Sequence, residues 1–134
     1  MRKFVFWTGV YDIVMGITLS CPWIVDSLGV KPPPSNFWLW LPAILVIYLG
    51  ILLVLCSRNL AARGSLVYWE GILRIGGFFV FGGFGFFGDL GIMAGVIGII
   101  DLAIGLVYLI GLPKALKTTS SSLLFDGFRA DRLS

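Results

Sequence analysis

Four ionisable residues interrupt otherwise apolar stretches of this chain: Asp12, Glu70, Arg74 and Asp101. In hydrocarbon such groups are costly unless paired or hydrated, so their types and spacing are the first place to look for chemistry. Glu70 and Arg74 stand i, i+4 with the acid nearer the helix N-terminus, the favourable order for an ion pair on one helical face. A guanidinium carries five donors and an effectively permanent charge, so Arg74 can serve more than one carboxylate, and Asp12 and Asp101 are its natural partners from other segments. Three acids against one arginine leave a formal excess of two negative charges, which a proton or a partner's cation would offset. The cluster could lock helix register, carry a proton or cation, or hold a polar headgroup such as that of a lipid or quinone. The chain has no His and only two Cys, so the usual haem, zinc and dithiol sets cannot be assembled from it. No catalytic residue, metal site or required cofactor is expected.

The elements that must position these four residues follow from hydropathy. Hydrophobic residues make up 58% of the 134 and charged residues 13%, against roughly 25% charged in soluble domains. That excludes a water-soluble globule. The formal net charge is +3, but the basic residues sit at the edges of apolar runs and form no stripe for nucleic acid. Four runs approach the roughly 20 residues that a bilayer core requires: 4–25, 37–56, 66–88 and 90–112. None alternates as a barrel strand would. At about 1.5 Å per residue, Asp12 and Arg74 lie some 12 Å into their spans, Glu70 about 6 Å, and Asp101 about 16 Å from the end of its own. The first run follows Arg2 and Lys3 as a signal peptide might, but its length predicts a retained helix.

Eight basic residues flank the ends bearing the termini and the middle link: Arg2, Lys3, Arg58, Arg63, Lys114, Lys117, Arg129 and Arg132. Lys31 alone falls on the other side. The four runs and their short links predict an all-α integral membrane protein, an antiparallel four-helix bundle, and the positive-inside rule places both its termini in the cytoplasm, with a bacterial inner membrane as the expected location. The expected links are about ten residues outside, stiffened by Pro32-Pro33-Pro34, about nine inside, and almost nothing at Gly88-Asp89. Short links join neighbours in space, and each proline ring restrains its own torsion and the residue before it. The Trp and Tyr residues near the span ends suit the headgroup region.

Residues 76–88 alternate glycine with phenylalanine, and the fourth run carries Gly91-x-x-x-Gly95 and Ala94-x-x-x-Gly98. Gly76, Gly77, Gly82, Gly83, Gly91, Gly95 and Gly98 are expected to let the third and fourth helices approach closely. Six Phe within ten residues exceed what a four-helix core buries, so some should face lipid, a protein partner or an elongated apolar ligand such as a carotenoid. Cys21 lies near the outer end of the first helix and Cys56 near the inner end of the second, on opposite sides of the expected bilayer, so they cannot form a disulfide with each other, and both read as packing residues. After Pro113 the composition turns polar over residues 114–134, the expected cytoplasmic tail. Leu123, Leu124, Phe125 and Phe128 are its candidate docking anchors, and adhesion of the tail's basic residues to the membrane surface is the competing reading.

These features resemble the DoxX-like group of small four-helix membrane proteins. The likeness lies in Gly9 and Gly16 running to Pro22, an Asn-led second helix, the Arg58-Asn59 and Arg63 connection, and Glu70-Gly71-x-x-Arg74, and it covers about residues 4–112. It implies the bundle. Some members of that group are associated with quinone-linked oxidation and many have no assigned activity, while a redox dithiol is absent from this chain. A carboxylate in the first helix, Asp12, is also similar to the small multidrug transporters. There a lone acid exchanges protons for cations, whereas Arg74 would neutralise Asp12 here. The leading expectation is a non-catalytic small subunit that stabilises a larger bacterial membrane complex, energy-converting or redox. The alternative is a stand-alone DoxX-like protein binding a quinone or lipid headgroup at the acid and arginine cluster. Proton-coupled transport comes third.

Overall fold

A computed structural model describes residues 1–126, and every element among them is helical. The helices are α1 (Arg2–Leu19), α2 (Pro22–Ser27), α3 (Phe37–Arg58), α4 (Leu60–Gly82), α5 (Ile92–Ala115) and α6 (Ser120–Leu124), with a π-helical turn, Gly83–Phe87, extending α4. Three helical stretches are long and apolar enough to cross a membrane: Phe37–Arg58, Leu60–Phe87 and Ile92–Ala115. The fourth long helix, α1, has 18 residues and carries Arg2, Lys3 and Asp12.

The first apolar run is not one helix. Cys21 sits in an extended conformation, φ −101° and ψ 102°, because the residue before a proline is pushed out of the α region. Pro22 then occupies the first position of α2, where its missing N–H costs nothing. The connection between α3 and α4 is also tighter than the expected nine residues. Only Asn59 separates the two helices, and its side-chain oxygen accepts from the Ala62 N–H at 3.3 Å, capping α4. Arg63 Nη1 donates to the Leu55 carbonyl at 2.9 Å and so ties the start of α4 to the end of α3. Polar residues ended the apolar count here, but they are competent helix formers and caps, so helix continues past the apolar span.

The helices pair as α1 with α3 and α4 with α5. In the first pair the helices run antiparallel, with Gly9 against Gly50 and Gly16 against Ala43 and Ile47. In the second pair Gly71 meets Gly105 and Tyr108, and Gly85 meets Gly95. A Cβ on Gly9, Gly50 or Gly105 would lie within 3.0 Å of the facing carbonyl, so each pair depends on contact that only glycine permits. The pairs join at the end bearing the N-terminus and α6 through a core of Val5, Leu53, Val67, Tyr108, Leu112 and Leu116. There Thr8 Oγ1 donates to the Val5 carbonyl at 3.0 Å and accepts from the Tyr108 hydroxyl.

The polar tail closes this same end. Leu123 is wholly buried in the core, and the Leu124 carbonyl accepts from Trp69 Nε1 at 2.9 Å. Phe125, expected among the anchors, is 79% exposed and lies just past the end of α6 at Leu124. Phe128 lies outside the described residues.

At the opposite end, the proline loop meets the α4–α5 turn. The Lys31 N–H donates to the Leu90 carbonyl at 3.0 Å, and Lys31 Nζ pairs with Asp89 at 2.9 Å. That hydrogen bond and charge hold the exposed Asp89 carboxyl below its ordinary value. Gly91 has φ +106° and lies directly against the Gly29 carbonyl, so both conformation and space exclude a side chain. Large apolar side chains cover the outside, among them Phe79 at 70% exposure and Phe87 at 94%. Apolar surface on that scale requires lipid or partner protein to cover it.

Candidate intramembrane polar site

Three helices bring the four charged residues together. Arg74 projects from α4 between α1 and α5. Its Nη2 donates to Asp12 Oδ2 at 2.5 Å and its Nη1 to Asp101 Oδ1 at 2.6 Å. Arg74 Nε lies 2.5 Å from Oε1 of Glu70, one helical turn earlier. The contact is close, but the N–H is not aligned on that oxygen. Arg74 Nε and Glu70 Oε2 are both buried polar atoms without a hydrogen bond. Exposure of these side chains is 6% for Arg74, 7% for Asp12, 7% for Glu70 and 17% for Asp101, so this is an interior ionic cluster.

The local reasons are simple. Asp12 stands one helical turn after Thr8, on the face α1 turns inward. Asp101 stands two turns before Tyr108 and one before Gly105, on the face of α5 that meets α4. Arg74 and Gly71 are one turn apart on the inner face of α4. The glycine contact of Gly71 with Gly105 therefore draws α4 and α5 close at the level where Arg74 and Asp101 meet.

Beyond the cluster, toward the proline-loop end, the two helix pairs leave an open-sided cavity of about 520 Å³. Met15, Leu49, Leu73, Val80, Phe81 and Ile97 supply apolar walls, and the four charged residues with Tyr11 are the polar groups of its lining. Gly76 and Gly77 belong to this cavity and do not serve helix packing, which corrects their expected role. A Cβ at Gly76 would meet nothing within 4 Å, and one at Gly77 would meet only Asp101 Oδ2 at 3.8 Å. Gly83 likewise faces open space. Gly82 and Gly98 do adjoin each other across α4 and α5, Gly95 lies beneath the Phe86 ring, and Gly91 meets Gly29. Gly85 lies in the glycine and phenylalanine run from which close packing is expected, whereas sequence reasoning did not single out Gly9, Gly16, Gly50, Gly71 and Gly105 for packing. Gly71 and Gly105 carry the signal that could have found them, since each stands three or four residues from a member of the charged cluster.

What the arrangement offers chemically is a fixed array of charge at one end of an apolar chamber. Arg74 stands where a cation would be coordinated, and among the described residues no group of three or more His, Cys, Asp or Glu is placed to hold a metal ion. Both cysteines are free, Cys56 buried in the core and Cys21 half-buried. Comparison with protein-family models, curated proteins and solved structures finds no match.

Proposed function

We propose that this chain is an inner-membrane four-helix bundle, up-down-up-down with both termini cytoplasmic, which binds a lipid-soluble molecule between its two helix pairs. The observation that carries this reading is the apolar cavity with the Asp12, Glu70, Arg74 and Asp101 cluster at one end. Its volume lies in the range of small-molecule sites, which are mostly apolar with a few placed polar groups. A cluster serving only as a register lock has no use for a chamber beside it, and the bare Gly76 and Gly77 keep that chamber open. The resemblance to DoxX-like proteins adds a quinone or a lipid headgroup as the ligand classes to try first. Orientation is supported by Arg2, Lys3 and Arg58, which converge around a second cavity at the end bearing the N-terminus and α6.

A membrane position also suits α1. With Arg2 and Lys3 at the headgroup level, where long basic side chains reach the interface, residues 4–19 enter the bilayer and α2 completes the crossing at an angle.

The test is retention of lipid-soluble molecules by the purified full-length protein, read by native mass spectrometry, against a Gly77→Leu variant whose side chain fills the cavity. A bound lipid or quinone present in the original protein and lost from the variant supports the reading. Equal retention by both removes it.

A second reading, an accessory subunit of a larger membrane complex, is favoured by the exposed Phe79, Phe84, Phe86 and Phe87 at the loop-bearing end of α4. Stoichiometric co-purification with larger chains supports it, and recovery only as a lone protein or homo-oligomer opposes it.

A further inference from the structure

The polar end of the cavity has a sign. Three carboxylates face one guanidinium and cover each of its nitrogens: Nη1 donates to Asp101, Nη2 to Asp12, and Nε, which makes no aligned hydrogen bond, lies 2.5 Å from Glu70 Oε1. An acceptor or anion entering from the cavity therefore meets carboxylate oxygens, while the only cation is covered. A donor meets the opposite situation, because Asp12, Glu70 and Asp101 bring three carboxylates to the lining against the single guanidinium. Glu70 and both aspartates line the cavity, so acceptor capacity is present at the wall. Tyr11, the one other polar side chain of the lining, can donate or accept and does not alter the balance. In a low-dielectric surrounding, charge interactions are strong and an unpaired buried polar group is expensive, so this asymmetry should dominate the choice of head.

We infer that the cavity selects apolar molecules whose polar end donates hydrogen bonds, a protonated amine ahead of a hydroxyl, and that it rejects carbonyl and anionic heads. The inference rests on the binding reading above and narrows its ligand classes: a quinol or an amine-bearing lipid fits, whereas the quinone form and an anionic lipid do not. An ammonium head gives the lining carboxylates a further donor and offsets one of the two excess negative charges. A hydroxyl does only the first. A ketone oxygen does neither, and a carboxylate adds a fourth like charge.

The experiment uses the full chain in neutral detergent and a matched series of single-chain amphiphiles. They share one long alkyl chain and differ only in the head: primary amine, alcohol, methyl ketone or carboxylate. Each is titrated in competition with a fluorescent alkyl tracer. The expected order is amine, alcohol, ketone, carboxylate, with the amine at least about tenfold tighter than the carboxylate. Glu70→Gln should reduce the preference for amine over alcohol by roughly tenfold, and Asp101→Asn provides the same comparison if Glu70→Gln does not fold. A ketone or carboxylate that binds as tightly as the amine overturns the donor rule while leaving the cavity a binding site. An unchanged amine preference in both variants also overturns it. If no member displaces the tracer, and Gly77→Leu holds the tracer as the original protein does, the binding reading itself fails.

Discussion

The two ends of this molecule are held together by different means. At the end bearing the N-terminus and α6, the helix pairs share a continuous apolar core, the Tyr108 and Thr8 hydroxyls meet inside it, and α6 folds back to bury Leu123. At the loop-bearing end, a backbone hydrogen bond and an exposed ion pair tie the proline loop to the α4–α5 turn, while the cavity lies between the pairs. The Arg74 cluster stands between the two regimes. One half is closed by packing and the other is left able to admit a guest. The lesson is that the ionic cluster acts both as a bolt between helix pairs and as the floor of a chamber.

Breaking the bolt should have the largest effect. Arg74→Met strands three buried carboxylates, and removal of one partner from a buried ion pair costs about 3–5 kcal/mol. Thermal unfolding in detergent checks this, and unchanged stability would reduce the cluster to decoration. Arg74→Lys should fall between, because a compact ammonium cannot reproduce the forked geometry.

Leu123→Ala comes next. It opens a void in the core at the end bearing the N-terminus and α6, where Leu to Ala substitutions cost about 2–5 kcal/mol. A protease-accessible tail accompanied by an intact loop-bearing end would establish that the ends are separately stabilised. Simultaneous loss of both would show that they form one cooperative unit.

Paired glycine substitutions sharpen the contrast further. Gly85→Ala drives a methyl into the Gly95 backbone and should cost about 1–3 kcal/mol through overpacking. Gly76→Ala adds the same methyl to empty space and should gain up to about 1 kcal/mol from helix propensity. Opposite signs for two glycines of one helix would separate the packing seam from the cavity wall. Equal costs would mean that the cavity closes in the membrane.

The smallest effect belongs to the Lys31–Asp89 pair. The folded-state value of the Asp89 carboxyl is depressed, so its contribution is present above the ordinary carboxylate range and is lost as pH falls through the lower folded value. Both side chains are largely exposed, so Asp89→Asn should leave global stability unchanged. Hydrogen exchange around Lys31 should rise on acidification in the original protein and be pH-independent, after correction for intrinsic exchange, in the variant.

Much of the site is legible in the order of residues. The i, i+4 spacing of Glu70 and Arg74 and the rarity of charge in apolar runs single out the cluster because hydrocarbon makes lone charges costly. The helix boundaries are less legible. Counting apolar residues measures how much chain suits a bilayer core, whereas Asn59 and Arg63 continue helix with polar side chains, and the conformation of Cys21 before Pro22 breaks it among apolar ones. The glycines divide for a related reason. Gly76 and Gly85 are alike in a string of Gly and Phe, and only their azimuth around α4 decides which meets a backbone and which meets a void.

Composition and spacing alone therefore determined an all-helical chain with membrane-grade hydropathy and a small set of charges that must find one another. Those properties follow from local chemistry: backbone groups satisfied within each helix, apolar side chains kept from water, and charge too expensive to leave unpaired. Tertiary structure decided that the helices associate as two close glycine-seamed pairs with space between them, and that Glu70 and Arg74, each with one buried polar atom lacking a hydrogen bond, line that space. Such features depend on the rotation and separation of whole helices, which side-chain order along the chain leaves open.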